Sequence, residues 1–104
     1  MIVTTTNDVC GRPVIAYLGV VRGIVVRSPN LAQGFLGGLQ SIVGGNIQQY
    51  VDVCEQARQD AFNLMVQHAQ MIGADAIIGM RYDATEFQQS VAEVLAYGTA
   101  VKLG

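Results

Sequence analysis

Ten residues constrain this fold more than any others: Gln70-Met71-Ile72-Gly73-Ala74-Asp75-Ala76-Ile77-Ile78-Gly79. Upstream of Gly73, the residues Tyr50, Cys54, Ala57, Ala61, Leu64, His68 and Met71 recur at alternating steps of four and three. That is one helical seam, widened by Val53, Met65 and Ile72. Asp52, Gln56, Gln59, Asn63 and Gln70 supply a polar opposite face. Asn46 stands in the capping position with Gln49 three residues on, a capping-box spacing. Downstream of the glycine, Ala76-Ile77-Ile78 opens a β-branched strand. A helix over about 47–72 that gives way at once to a strand implies one helix laid across a sheet.

The remaining elements follow from period and punctuation. Ile2 to Thr6 is a short β-prone segment, and Asn7-Asp8 a turn. Val14 to Val26 is a long strand by its β-branched content. Unbroken alternation puts Val14, Ala16, Leu18, Val20, Ile24 and Val26 on one face, and Ile15, Tyr17, Val21 and Val25 on the other. Both faces are apolar, so both call for a cover: the helix for one, a neighbouring subunit for the other. Gly19 and Gly23 mark a bulge or a close backbone approach. After the turn Ser28-Pro29-Asn30, the residues Leu31, Phe35, Leu39 and Val43 repeat at helical spacing. They predict a short helix over about 30–43, weakened by Gly34, Gly37 and Gly38 and ended by Gly44-Gly45. The last third is a hairpin. Ala76, Ile78, Met80 and Tyr82 share a face, the turn falls within Tyr82 to Gln89, and Val91 to Leu103 returns with Ala92, Val94 and Ala96 inward. Arg81 and Glu93 then fall near each other as a cross-strand ion pair. The expected class is α+β: a two-layer, single-domain chain, with an antiparallel sheet packed by one long and one short helix.

Composition narrows the function classes. The hydrophobic fraction is 51% and the charged fraction 13%, against about 25% charged in a typical soluble domain. A chain of 104 residues with so few charges cannot cover a small sphere with polar groups. Burial against further copies of itself is the expected remedy. The net charge is −2, and Arg12, Arg22, Arg27, Arg58, Arg81 and Lys102 form no stripe, which argues against nucleic acid as a partner. The densest apolar stretch, Val14 to Val26, is interrupted by Arg22 and is shorter than the roughly 20 residues of a membrane span. The amino terminus has no basic segment followed by a long apolar run, so no signal peptide is read. Two cysteines make no disulfide framework, and a reducing cytoplasm is the expected compartment.

No catalytic constellation stands out. His68, the lone histidine, lies on the apolar seam, where it serves either as a ligand or base or as a core or interface histidine bonded to backbone. Cys54 lies 14 residues earlier, roughly 21 Å along a helix, too far to share a metal or a proton with it. Cys54 reads as a small buried hydrophobe, and Cys10, before Gly11, as an exposed loop thiol. Asp75 and Asp83, eight residues apart, are separated by roughly 26 Å of straight strand, too far for a paired acid and base. Asp83 and Glu86 flank a turn. No cofactor motif is present, and the Gly44-Gly45 pair lacks the pattern of a phosphate loop. Within one chain no metal set assembles; Cys10, His68 and Asp83 are the candidates for a site shared between copies.

Several segments together resemble a known family: Ile2-Val3-Thr4-Thr5-Thr6, Tyr17-Leu18-Gly19-Val20-Val21-Arg22-Gly23, Val43-Gly44-Gly45, Tyr50 with Ala57-Arg58 and Ala61, Gly73 to Gly79, and Gly98-Thr99-Ala100-Val101. The chain resembles, over essentially its whole length, the YbjQ-like family of small bacterial proteins of unknown function, also labelled heavy-metal-binding. The resemblance implies a dodecin-like two-layer subunit assembled as a ring-shaped homopentamer, with no catalytic residues to carry over. It also exposes departures. Relatives carry an acidic residue where Ile24 stands, Arg-Asp pairs at Gln33-Gly34 and Gln40-Ser41, and Arg-Ser at Asn46-Ile47. The expectation is a non-enzymatic homo-oligomer that holds a small ligand or metal between subunits. The alternatives are an enzyme with a site composed across copies and a purely structural scaffold.

Overall fold

The computed structural model describes residues 1–27, 47–88 and 91–104. The elements in order are β1 (Ile2–Val3), β2 (Val14–Arg27), α1 (Ile47–Met71), β3 (Ala76–Gln88) and β4 (Val91–Leu103). They form an α+β unit: a four-stranded sheet in the order β1-β3-β4-β2, with α1 across one face. The sheet is mixed, which corrects the antiparallel expectation. β1 lies parallel to β3, pairing Ile2 with Ala76 and Val3 with Ile77, whereas β4 runs antiparallel to both of its neighbours. A short amino-terminal strand that joins the edge only after β2 and α1 have crossed over has no hairpin to force it antiparallel. The short helix expected over 30–43, its glycines, and Gln33, Gln40 and Asn46 lie outside the described residues.

The helix-to-strand junction forms as its sequence implies. Gly73 adopts φ +81°, open to glycine and strained for other residues. The Gly73 amide donates to the Gln70 carbonyl at 3.1 Å and the Ala74 amide to the Ala69 carbonyl at 3.0 Å, the paired bonds of a Schellman ending. Asp75 then clamps the junction to the end of β4. Its Oδ2 accepts the Leu103 amide at 2.9 Å, its Oδ1 lies 3.3 Å from Lys102 Nζ, and the Asp75 amide donates to the Val101 carbonyl.

The core lies between α1 and the sheet. Val21, Ala61, Met65, Ala69, Ile77, Met80, Ala96 and Ala100 are buried there, with Phe62, Val66 and Val94 packed against them. A smaller cluster on the opposite face joins Ala76, Ile78, Val101 and Leu103 under Val9 and Val14. Each large side chain fully buried in this way contributes about 1.5–3 kcal/mol. Small residues bring the helix close. A Cβ on Gly23 would run into the Ala61 carbonyl, the Met65 amide and Leu64 Cβ, so the glycine marks a close approach, as its position in the strand indicates.

Four expectations change. First, the helix is rotated relative to the inferred seam. Ala57, Ala61, Met65 and Ala69 are buried, while Cys54, Leu64, Met71 and Ile72 are exposed. Steps of four through small residues sit flat on the sheet, and Cys54 is therefore not a core residue. Second, β2 is out of simple alternation. Its register against β4 shifts between Val14 and Ala16 and between Tyr17 and Gly19, so Tyr17 shares the uncovered face with Val20. Third, Gly79 at φ +61° sits in a register shift between Ile78 and Arg81. The shift moves Met80 to the helix side with Ile77, apart from Ala76 and Ile78. Fourth, β3 runs on to Gln88, so the residues from Tyr82 to Gln88 are strand. Arg81 lies opposite Tyr97, and Glu93 opposite Thr85. The Arg81 guanidinium donates instead to the carbonyls of Thr5 and Met80, at 3.0 and 2.8 Å.

Candidate functional site

The three sequence candidates are not brought together. Cys10 is exposed in the loop before β2, by the Val9–Arg12 bridge; there Arg12 reaches the Gly104 carbonyl. Asp83 is exposed on β3 opposite Leu95, roughly 26 Å along β4 from Leu103 at 3.3 Å per residue. Its Oδ1 accepts the amide of Ala84 at 2.9 Å. His68 lies at the far side of the sheet, against the outer edge of β2. Its Nδ1 accepts the backbone N–H of Arg22 at 3.3 Å. This is the backbone-bonded histidine among the two readings of the sequence.

Among the described residues no group of three or more His, Cys, Asp or Glu side chains could hold a metal ion. Cys10 and Cys54 are free and exposed, and His68 has one ring nitrogen already occupied. A soft metal wants several thiolate or imidazole ligands at about 2.0–2.3 Å, and the residues described within one chain do not fit that requirement. Among the described residues no helix is long and apolar enough to cross a membrane.

Some interactions were not legible in the sequence. Arg58 stacks over the Tyr82 ring at 5.3 Å from its centroid, a cation–π contact between helix and sheet. The Asp75 carboxylate is held below its ordinary range, chiefly by the Leu103 amide and then by Lys102. The only sequence signal for it was an acid placed two residues after a helix-ending glycine.

What the chain does concentrate is uncovered apolar surface along β2. Tyr17 is 73% exposed, Val20 67% and Ile15 65%, and Ile24 and Val26 are also open. The geometry of the edge follows from one hydrogen bond. Because the Arg22 amide points outward to His68, alternation points the amides of Val20, Ile24 and Val26 outward too, with their side chains on the face that α1 does not cover. On the helix side, Leu64, His68 and Met71 share one stripe of α1 beside this edge, and Met71 is 85% exposed.

Comparison with known proteins places this arrangement. The whole chain, residues 1–104, matches the model of a family described as "Putative heavy-metal-binding". A UPF0145 protein of Legionella pneumophila is 56% identical over 101 residues, 97% of this chain and 96% of the relative. A UPF0145 protein of Chromobacterium violaceum is 59% identical over 101 residues, 97% of this chain and 86% of the relative. The fold is shared with a crystal structure of a protein of unknown function from Pediococcus pentosaceus, of the DUF74 family. That likeness has a TM-score of 0.64 at 19% identity and covers 100% of this chain and 98% of the other.

Proposed function

This chain belongs to the YbjQ-like (UPF0145) family, and from that premise we propose that it is a non-enzymatic, homo-oligomeric protein of the cytoplasm. Its assembly is a pentamer of dodecin-like subunits, with a small ligand or metal held at the contacts between copies. The observation that carries this reading is the open apolar surface of β2 and α1. Side chains such as Tyr17, Val20 and Met71 are more than two-thirds exposed in the single chain, and a large apolar side chain gains about 1.5–3 kcal/mol when fully buried. The 13% charged fraction leaves few polar groups to offset that exposure. The absence of a metal cluster among the described residues of one chain is why the ligand is assigned to contacts between copies, where Cys10, His68 and Asp83 of different subunits can meet.

Native mass spectrometry of tag-free protein purified without chelator tests the proposal. The expected species is a fivefold multiple of the 11.1 kDa chain, about 55 kDa, carrying a reproducible extra mass. A bare oligomer would remove the ligand from the account, and a monomer at micromolar concentration would overturn the assembly.

A further inference from the structure

We propose that each chain carries a binding site for the phosphate group of a small molecule, formed by Arg22 of β2, Tyr97 of β4 and Arg81 of β3. It lies on the sheet face that α1 leaves uncovered. The site is separate from the contacts proposed above: it uses none of Cys10, His68 and Asp83, and one chain supplies all of it.

The strand register sets the three residues side by side. Tyr97 pairs with Arg22 on one side and with Arg81 on the other. Their neighbours along the strands, Val21, Met80 and Ala96, are buried in the core under the helix, and a Cβ on Gly23 would meet the helix backbone. Alternation therefore turns Arg22, Arg81 and Tyr97 to the other face. Because the Arg22 amide is directed outward to His68, Arg22 and Tyr97 form a non-hydrogen-bonded pair, the type whose side chains stand closer together. Two strand spacings, roughly 10 Å, separate the roots of the two arginines, and Tyr97 occupies the strand between them.

Neither guanidinium is neutralised. Nη1 of Arg81 donates to the carbonyls of Thr5 and Met80 at 3.0 and 2.8 Å. These neutral acceptors fix the group while leaving its charge and its other N–H donors in place. The Arg22 side chain is exposed and makes no hydrogen bond or ion pair among the described residues. Asp83, the next residue on this face of β3, turns its Oδ1 to the amide of Ala84. Glu93 lies opposite Val26 and Thr85, four residues from Tyr97 along β4 and so roughly 13 Å away. Residues 28–46 contain no Asp or Glu, so that segment brings no carboxylate to the pair wherever it runs. An uncompensated guanidinium is costly to bury, so any surface that closes over this row has to supply an anion or admit one.

The geometry of the donors selects phosphate. A carboxylate is matched by a single arginine fork through two parallel N–H···O bonds. Here two guanidinium groups and a phenol O–H come from three strands and carry two positive charges, the complement of a dianion with three terminal oxygens. Two cations are too few for a nucleic-acid track, which neutralises many phosphates in line. The ligand is therefore free phosphate or a small phosphate ester.

Isothermal titration calorimetry of the full chain at low ionic strength, with inorganic phosphate, methyl phosphate and acetate, tests the site. Wild type is expected to bind a phosphate saturably, in the millimolar range or tighter, and acetate about tenfold more weakly or worse. Tighter binding of methyl phosphate would support the site as one for an ester, and tighter binding of inorganic phosphate as one for the free ion. Arg22→Gln is expected to weaken phosphate by about tenfold or more, and Tyr97→Phe severalfold. Arg58→Gln removes the same charge on the helix side of the sheet and is expected to leave binding unchanged. No saturable phosphate binding by wild type, equal affinity for acetate, or equal losses in Arg22→Gln and Arg58→Gln would each overturn the proposal. Arg81→Gln also removes the bonds to Thr5 and Met80, so Arg22→Gln, whose side chain holds no other described group, is the deciding variant. Failure of this site would leave the homo-oligomeric reading untouched.

Discussion

Replacing Gly23 with alanine puts one methyl group where the helix touches the sheet. An ideal Cβ there lies 2.6 Å from the Met65 amide nitrogen and 2.7 Å from Leu64 Cβ, and closer still to the Ala61 carbonyl. Comfortable separations are about 3.5–4.0 Å, so α1 would have to lift by roughly 1 Å. These neighbours are helix backbone and the root of a side chain, which cannot swing away. Overpacking of this kind costs about 1–3 kcal/mol, and lifting the helix also loosens Met65 and Ala61 from the core, which favours the upper end. The loss of unfolded-state freedom returns about 0.4–1 kcal/mol, leaving a net destabilisation of about 2 kcal/mol. For a domain this size that lowers Tm by about 8–16 °C. Urea unfolding followed by circular dichroism, at one fixed protein concentration so that any association contributes equally, measures it. Gly98→Ala is a second such site: its Cβ would meet the Cγ2 methyl of the fully buried Ile77 at 2.6 Å and the backbone of Ile78 and Met80 at 3.1 and 3.3 Å, so a loss in the same range of about 1–3 kcal/mol is expected. A Gly23→Ala protein within about 0.5 kcal/mol of wild type, the range of neutral surface changes, would refute the close approach.

Other consequences are as direct. The folded Asp75 carboxyl titrates below its ordinary value of 3.8, so its contribution to stability is present above that value and is lost as pH falls through the lower folded one. Acid titration of Asp75→Asn should therefore show a shallower loss of stability below about pH 4 than wild type; parallel curves would contradict the clamp. Met65 is fully buried, and Met65→Ala should cost about 2–5 kcal/mol by chemical denaturation. Arg58→Gln removes the cation over the Tyr82 ring and should cost about 0.5–1 kcal/mol, with no effect in a Tyr82→Leu background, as a double-mutant cycle would show.

Much of the fold was written locally. The helix Ile47–Met71 is legible because a period of 3.6 persists over many turns and ends in a glycine that caps it. The long strands are legible in their β-branched runs. What escaped was phase. A single extra residue near Leu18, and another at Gly79, changes which face every later side chain occupies, and nothing local distinguishes a bulge from an unbroken strand. The rotation of α1 escaped for a related reason. Two stripes, one through Leu64 and Met71 and one through Met65 and Ala69, are both apolar, and only the sheet, with its alanines and Gly23, decides which one lies flat. The parallel placement of β1 depends on a contact across more than 70 residues, invisible to any window. At the site, His68 makes the backbone contact that one of its two readings expected. Its partner, an edge amide of β2, could not be named because strand order is a tertiary fact. Cys54 faces solvent because the helix is turned, and the alternation of its neighbours carries no trace of that.

The central claim is that this chain leaves an apolar surface which further copies of itself cover. Sedimentation equilibrium of the wild-type protein from about 1 to 100 µM, a range that spans typical association constants, tests it most directly. The account predicts a single mass that is a multiple of 11.1 kDa, five chains at its most specific, unchanged across the range. A mass of 11.1 kDa at every concentration would contradict it.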